Sequence, residues 1–526
     1  MCKTVLITTS GTGERLGNIT QYTNKSLINV GDKYAICRII DNYDIDTTFI
    51  ITIGYYGNLV REFLEMAYTS HKFIFVEVDK YVGDGSSLGY SMLKAMEYLQ
   101  MPFIFHCCDA IVVNKIKFTS DTNTLCVARN KCNNNYSSIK GINGNVTEIN
   151  NKKHPEFDFI YTGISYIHDY NKFWVNLEYI YNKDNTNTSL SDVHVIRCMM
   201  NDTCEFEYSV LDDWYDTGNI ESYNIVCSIF KSEYDVLYKN NESLCFFDDV
   251  VVKFINDSEV NNKRVQRGRQ LYPLTPNILK HTKNFMMMEK VQGTIMSSCY
   301  KYGEIYRLLK WAKTNLWVNH KTDAKYKTNC YNFYINKTIK RINDISFLKT
   351  KGEICTINGV DTGSIQSLMD RVLDMNVLTT DTFCNFHGDF ILDNIIKTQD
   401  SYTLIDWRHE FDDQLLRGDF YYDLAKLRHN MIFNHNNVLH DMFMVLYDNS
   451  HVTVDIKCNY VLVQQLYDYD KFVNEYKLDL GKIKIIMGLI WINMSPLYDG
   501  KLSEFLFYFG KYHLYLSLSE YILNSA

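Results

Sequence analysis

Four short apolar, β-branched runs in the first 110 residues each stop on glycine or polar residues, with helical spacing between them. Lys3 to Thr9 runs directly into Ser10-Gly11-Thr12-Gly13-Glu14-Arg15-Leu16-Gly17. Phe49 to Ile53 stops at Gly54 and gives way to helical spacing over Asn58 to Met66. Phe73 to Val78 is followed by a Gly/Ser segment and a helical stretch, Leu88 to Leu99, and Phe103 to Cys108 ends on Asp109. Strands alternating with helices predict βαβ units and a mostly parallel sheet, in which ligands bind beyond the carboxyl ends of the strands. Ser10 to Arg15, Gly83 to Gly89 and Asp109 all fall at such ends.

A chain of 526 residues exceeds one ordinary domain. With 46% hydrophobic and 22% charged residues it has a normal globular composition, and with only 5 prolines it has no Pro-rich tether. The net charge of −8 provides no basic field for a nucleic-acid backbone. The apolar stretch Ile485 to Met494 is about half the length of a membrane span, and Met1-Cys2-Lys3 begins no signal-peptide pattern. The expectation is a cytoplasmic protein with no membrane span, no nucleic-acid partner and small-molecule substrates; self-association into a homo-oligomer stays open. Fifteen cysteines without a C-x-x-C pair are expected to be reduced thiols.

Each polar cluster admits a chemical and a structural reading. Glycines 11 and 13 would let backbone N–H groups approach a phosphate, with Arg15 and Lys25 supplying positive charge, or would simply make a turn. The loop is neither a P-loop nor a dinucleotide G-x-G-x-x-G. Asp109 could ligate Mg²⁺ or cap the next element.

Taken together, G-x-G-x-R-L near residue 11, Lys25 about ten residues on, the Gly-Ser segment before a helix and the strand-end Asp109 resemble the sugar-phosphate nucleotidyltransferase family. Phe159 to Ile167 (FIYTGISYI) looks like that family's substrate-facing Gly strand. Trp214-Tyr215-Asp216-Thr217-Gly218 looks like its W-x-D-x-G element. The resemblance covers roughly 1–228 and implies a Rossmann-like domain. It implies that Gly11, Thr12 and Gly13 with Arg15 hold the β and γ phosphates, and that Lys25 bridges nucleotide and acceptor phosphates. Gly85, Ser86, Ser87 and Leu88 would border base and ribose, and Asp109 and Asp216 would bind Mg²⁺. Asn24 and Cys108 depart from the family pattern, standing where Pro and Gly are usual.

From about residue 229 a few strands precede long helical stretches. Phe246 to Ile255 reads as one strand carrying Lys253, and Asn284 to Gly293 as a strand running into a polar connection. Residues 300–350 have helical spacing. Phe386-His387-Gly388-Asp389-Phe390-Ile391-Leu392-Asp393-Asn394, followed beyond a turn by Thr403-Leu404-Ile405-Asp406-Trp407, is H-x-D-x-x-x-x-N with a second Asp after a hairpin. Phosphoryl transfer needs one carboxylate to take a hydroxyl proton, and an Asn plus a second carboxylate to hold Mg²⁺. The segment resembles the aminoglycoside phosphotransferase and choline kinase family, over roughly 229–526. This implies a protein-kinase-like bilobal domain, with a small N-lobe at about 229–293 and a helical C-lobe at about 294–526. Asp389 would be the base, Asn394 and Asp406 the Mg²⁺ ligands, Lys253 the contact to ATP phosphates, and Met287 to Gly293, including Glu289, the nucleotide hinge. Gly418 to Lys426 matches the family's G-D-x-x-Y-D-L-A helix, where Asp419 and Asp423 read as capping and lobe-fixing residues. No G-x-G-x-x-G precedes Lys253. The aromatic run Ile485 to Leu518 reads as core packing, or as an acceptor pocket that stacks on a sugar or cages a quaternary amine.

A kinase makes a phosphomonoester and a nucleotidyltransferase consumes one. The expectation is a bifunctional enzyme using Mg²⁺ at both sites: it phosphorylates a small hydroxylated acceptor, preferably a sugar, with ATP, then couples the phosphate to a nucleotide from a second NTP, CTP or UTP. Two alternatives remain: an amino-alcohol kinase fused to a cytidylyltransferase, and a chain in which one domain is catalytically inactive and regulatory.

Overall fold

The structure is a computed structural model describing residues 3–118, 121–129, 132–234, 239–320, 325–379, 383–448, 450–457 and 460–525. It divides into two compact units, 1–258 with 279–288, and 259–278 with 289–526. The motifs divide the chain near 228; the contacts leave the strands that follow 228 with the first unit.

The first unit is built on a nine-stranded sheet. Its order is Lys72–Glu77, Thr48–Ile53, Thr4–Thr8, Phe103–Cys107, Phe159–Ile167, Asn123–Ala128, Phe206–Val210, Asn145–Asn150 and Ser138–Ile142. The first four strands are parallel, as the helical crossovers between them require. Beyond them the expectation of a mostly parallel sheet is corrected: Phe159–Ile167 runs antiparallel to both of its central neighbours, and the last three strands also pair antiparallel. Only Phe206–Val210 on Asn123–Ala128 restores a parallel pair. The sheet is therefore mixed. Its two faces are covered by separate apolar clusters, one around Val5, Ile7, Phe49, Ile51 and Phe63, the other around Leu6, Phe103, Phe105, Phe173 and Trp174.

A four-stranded sheet, Glu242–Phe246, Val250–Ile255, Phe285–Glu289 and Ile278–His281, lies almost wholly in this unit. Phe246 to Ile255 is not one strand: the Phe247 N–H bonds back to the Val250 carbonyl across Asp248-Asp249, closing a hairpin. Cys245, Val252, Phe254, Phe285 and Met287 join the same buried cluster as Phe63 and Cys37. Met287 is thus a core residue.

The second unit is mainly helical. Helix Leu480–Met494 packs along helix Gly500–Ser525, with Trp491, Phe505, Phe507 and Tyr508 fully buried, so these aromatics of the run are core, while Tyr498 is exposed and Tyr512, His513 and Tyr515 are half-buried. Leu480–Leu497 is long and apolar enough to cross a membrane, but 61% of it is buried inside the fold, and Lys482 near its start pairs with buried Asp419 at 3.0 Å. That is the packing of a core helix. Helices Glu304–Asn315, Tyr326–Tyr331 and Lys337–Asn343 occupy the expected helical region, of which 321–324 lie outside the described residues. The described cysteines are all free thiols.

Candidate functional site

In the first unit the loop after Thr4–Thr8 turns sharply at Gly13, whose φ of +73° is costly for any side-chain-bearing residue. A Cβ there would also stand 3.1 Å from the Lys25 and Thr20 side chains. The turn feeds a short helix, Glu14–Thr20, that carries Arg15. Asn24 fixes the next turn: its amide donates to the Thr9 carbonyl (2.8 Å) and the Tyr55 carbonyl (2.6 Å), and its oxygen accepts from the Ser26 N–H (2.9 Å). A buried, fully satisfied Asn thus does the stiffening a proline would do, and it presents Lys25, whose Nζ lies 3.3 Å from Asp109 Oδ2.

Asp216 reaches the same place by a two-stranded ribbon. Trp214–Asp216 pairs antiparallel with Ala110–Val112, setting Asp216 opposite Ala110. A Cβ built on Gly218 would lie 2.9 Å from both Asp109 Oδ2 and Asp216 Oδ1, and 3.4 Å from the Arg15 guanidinium. Two carboxylates and one guanidinium therefore converge on a spot that only glycine leaves open. Asp216 is oriented by the Gly218 N–H (2.9 Å), the Tyr136 hydroxyl (3.0 Å) and the Asn219 amide (3.2 Å).

Burial alone would raise the Asp109 pKa, but the Lys25 ammonium, a Cys107 hydrogen bond and the Arg15 charge bring it down to about 2. Burial works against the Lys25 charge too, yet Asp109 more than offsets it and leaves that ammonium above its ordinary value. Asp216 moves upward, through burial and then through the charge of Asp109. Two mutually repelling carboxylates suit a divalent cation, and Mg²⁺ commonly takes one or two carboxylates with substrate phosphate and water completing its shell. The donor set fits that ion. No cluster of three or more His, Cys, Asp or Glu side chains suited to a metal occurs among the described residues.

Gly85, Ser86, Ser87 and Leu88 form the turn into helix Leu88–Lys94. Gly85 has φ +79° and lies under the Asn185 carbonyl; Ser86 Oγ donates to the Gly83 carbonyl; Ser87 caps the helix by accepting the Tyr90 N–H at 3.0 Å. Thr12 bonds Glu14 at 3.3 Å, and Gly11 has open space around it. Sequence reasoning missed Tyr136, Asn219 and Lys152, the last exposed but feeling the charges of Arg15, Asp216 and Asp109. Tyr136 and Lys152 come from separate segments and carry no spacing signal, whereas Asn219 directly follows the Trp214–Gly218 element and caps helix Ile220–Ile229.

Lys253 is also in the first unit. It is buried on Val250–Ile255, and its Nζ pairs with Glu242 on the neighbouring strand at 3.1 Å. Glu259 pairs with Lys263 at 2.9 Å.

In the second unit, the hairpin Ile395–Lys397 and Tyr402–Leu404 sets Ile395 opposite Leu404, and the Ile405 N–H bonds the Asn394 carbonyl at 2.9 Å. Asp406 follows in the left-handed region, φ +53°, and accepts from Arg264 at 2.8 Å. Asn394 donates its side-chain amide to Asp389 Oδ2 at 3.2 Å, so the oxygen it retains is the atom type a hard cation takes. Asp389, Asn394 and Asp406 are thereby brought together. His387 is locked rather than reactive. Its Nδ1 accepts the Asp389 N–H, its Nε2 faces the Ile405 carbonyl at 3.0 Å, and burial lowers its pKa to about 4. Burial pushes Asp389 up, but Lys426, 2.7 Å away, outweighs this and holds it below the usual carboxylate range. Asp423 accepts the N–H groups of His387 (2.7 Å) and Gly388 (2.6 Å), and Asp419 caps its helix through the Tyr421 N–H. Glu289 is exposed and trades contacts with Asn277. Arg264, and Arg267 whose guanidinium stacks 4.3 Å from the Phe386 ring, brace this loop from helix Ser258–Leu271 without having been foreseen.

No protein-family model matches the sequence, and no curated protein matches it. Solved structures do, over the N-terminal part. A UDP-glucose pyrophosphorylase complexed with UDP-glucose is 15% identical, covering 44% of this chain and 98% of its own, with a TM-score of 0.36. The CTP:phosphocholine cytidylyltransferase of Streptococcus pneumoniae is 18% identical, covering 44% of this chain and all of its own, with a TM-score of 0.37. The inositol-1-phosphate CTP transferase of T. maritima is 14% identical over 43% of this chain and 96% of its own, with a TM-score of 0.36.

Proposed function

We propose that the first unit is a nucleotidyltransferase that joins the nucleotidyl group of an NTP, CTP or UTP, to the phosphate of a small acceptor and releases pyrophosphate. The observation that carries this reading is the convergence of Asp109, Asp216 and Arg15 around Gly218, with Lys25 against Asp109. The backbone of Gly11 to Gly13 and the Arg15 guanidinium hold the β and γ phosphates. Lys25, kept charged by Asp109, stands between the reacting phosphates. Mg²⁺ held by the two carboxylates would neutralise charge on the α-phosphate. An acceptor phosphate oxygen attacks the α-phosphorus in line, and the bond to the β-phosphate oxygen breaks. Phosphate monoesters are anionic near neutral pH, so no general base is needed, and catalysis is positioning plus charge neutralisation.

The second unit is read as a small-molecule kinase that uses ATP to make the phosphate the first unit consumes. Its support is the Asp389, Asn394 and Asp406 cluster built by one loop and one hairpin. Asp389 takes the acceptor hydroxyl proton as that oxygen attacks the γ-phosphorus and the bond to the β-phosphate oxygen breaks, releasing ADP; Asn394 and Asp406 would supply oxygen donors to Mg²⁺. Asp389 paired with Lys426 is ionised at neutral pH, as a proton acceptor must be.

The test follows ADP and pyrophosphate separately, with ATP, CTP or UTP, Mg²⁺ and a set of sugars and amino alcohols. Asp109→Ala should abolish pyrophosphate release and leave ADP formation intact, whereas Asp389→Ala should abolish ADP formation and, with unphosphorylated acceptors, pyrophosphate release as well, which an added phosphomonoester restores. Loss of both products in Asp109→Ala, or no pyrophosphate from the added phosphomonoester in Asp389→Ala, contradicts two independent sites.

A further inference from the structure

Besides Lys426, Asp389 has near it three cations that the transfer chemistry above does not use, Arg408, Lys337 and Arg341. Arg408 runs directly over the loop. Gly388 has φ +83°, and a Cβ there would lie 2.5 Å from the Arg408 Cβ and 3.1 Å from its Cδ. The Arg408 guanidinium is 5.0 Å from the centre of the Phe333 ring, and the Lys337 Nζ is 4.3 Å from the same centre. One aromatic ring therefore carries two cations. Arg341 follows Lys337 at i+4 on the same helix face and donates to the Asn493 carbonyl at 2.5 Å. Lys426 completes the set through its 2.7 Å contact with Asp389.

The Lys337 ammonium makes no hydrogen bond or ion pair among the described residues, although the side chain is more than half-buried. Burial, then Arg408, Arg341 and Lys426, hold its ammonium well below the ordinary lysine pKa, with Asp389 opposing them. Asp344 lies near Arg341, Asp406 acts on Asp389, and Asp412 accepts from the Asn332 amide beside Phe333. Like charges gathered in a covered site disfavour one another unless an anion joins them. A cationic acceptor brought to Asp389 would meet the same repulsion. Arg408 and Lys337, flanking a ring next to the proton acceptor, are placed to receive a carboxylate or phosphate while a hydroxyl of the same molecule faces Asp389.

We propose that Lys337 and Arg408 form an anion subsite beside Asp389, and that the kinase acceptor is a hydroxylated compound bearing its own carboxylate or phosphate. This rests on the phosphoryl-transfer reading of the second unit.

The experiment uses the full chain with ATP and Mg²⁺ and four acceptors on one ring: glucuronate, glucose 6-phosphate, glucose and glucosamine. ADP release is measured for the wild type and Lys337→Met, and calorimetry measures binding of the two anions in the presence of Mg·ADP. The expected result is that one of the anions exceeds glucose at least tenfold in kcat/KM and glucosamine by more, and which anion wins separates carboxylate from phosphate. Lys337→Met should raise KM for that anion about tenfold while moving KM for ATP less than twofold. Turnover of glucose or glucosamine equal to or above that of both anions overturns the subsite and leaves the kinase reading standing. A variant that raises KM for ATP instead overturns it too, because the cations then serve the nucleotide. Absence of both turnover and binding for both anions also overturns it, and ADP from none of the four acceptors removes the kinase reading as well.

Discussion

Asp109, in the turn between Phe103–Cys107 and Ala110–Val112, and Asp216, at the end of the strand Trp214–Asp216, each place one carboxylate oxygen 2.9 Å from the position a Cβ of Gly218 would occupy. The glycine is thus a spatial requirement of the carboxylate pair. Gly218→Ala should force one carboxylate aside, lower pyrophosphate release by about 10²-fold and raise the Mg²⁺ concentration needed for half-maximal rate. Rates measured across a Mg²⁺ titration, with a melting curve to show that the fold persists, check this.

Gly163 in the strand Phe159–Ile167 has φ +79°, and a Cβ there would fall 2.3 Å from Cys107 Sγ and 3.3 Å from its Cβ. Gly163→Ala combines backbone strain with a clash, so it should cost about 2–4 kcal/mol. Adding Cys107→Ala removes the sulfur but leaves the strain, and should recover about half. Denaturant melts of the two single variants and the double variant measure that coupling.

Much of the first site was legible because its motifs use local turn chemistry. Gly13 sits where a left-handed turn is needed, and Asp109 where an apolar strand stops. The direction of the later strands was not legible, because apolar runs record burial and not polarity of pairing. Phe246 to Ile255 was misread for a narrower reason: Asp248-Asp249 is a turn signal submerged in apolar neighbours. The orientation of Asp216 by Tyr136, and of Asp406 by Arg264, joins residues 80 and 142 positions apart. No periodicity encodes such contacts.

Asp192 is buried at the start of helix Asp192–Asn201, where its Oδ2 accepts the Tyr161 hydroxyl at 2.7 Å. Burial raises its pKa to about 6, against which the hydrogen bonds act only partly. The folded chain binds this proton more tightly than the unfolded one, so the contribution is full below the unfolded value and falls as pH rises from about 4 to about 6. Asp192→Asn keeps an acceptor oxygen for Tyr161 and carries no charge. It should stabilise the protein by about 1–3 kcal/mol at pH 7 and by little at pH 4, as denaturant melts at the two pH values will show.

Asp423 holds the loop that carries Asp389. Its buried carboxylate accepts the backbone N–H groups of His387 and Gly388 and the Trp317 indole N–H at 3.0 Å, with a pKa raised by burial to about 6. All three partners are donors. Asp423→Asn keeps the volume but turns one acceptor into a donor facing an N–H, leaving a buried backbone group unpaired at a cost of about 1–3 kcal/mol. Since the two N–H groups flank the peptide next to Asp389, the same change should misplace the proton acceptor. ADP formation should fall by about 10²-fold. Pyrophosphate release from an added phosphomonoester should persist in the folded fraction, because Asp109, Asp216 and Arg15 belong to the other compact unit. Parallel assays of the two products, normalised to folded protein by near-UV circular dichroism, separate this outcome from simple unfolding.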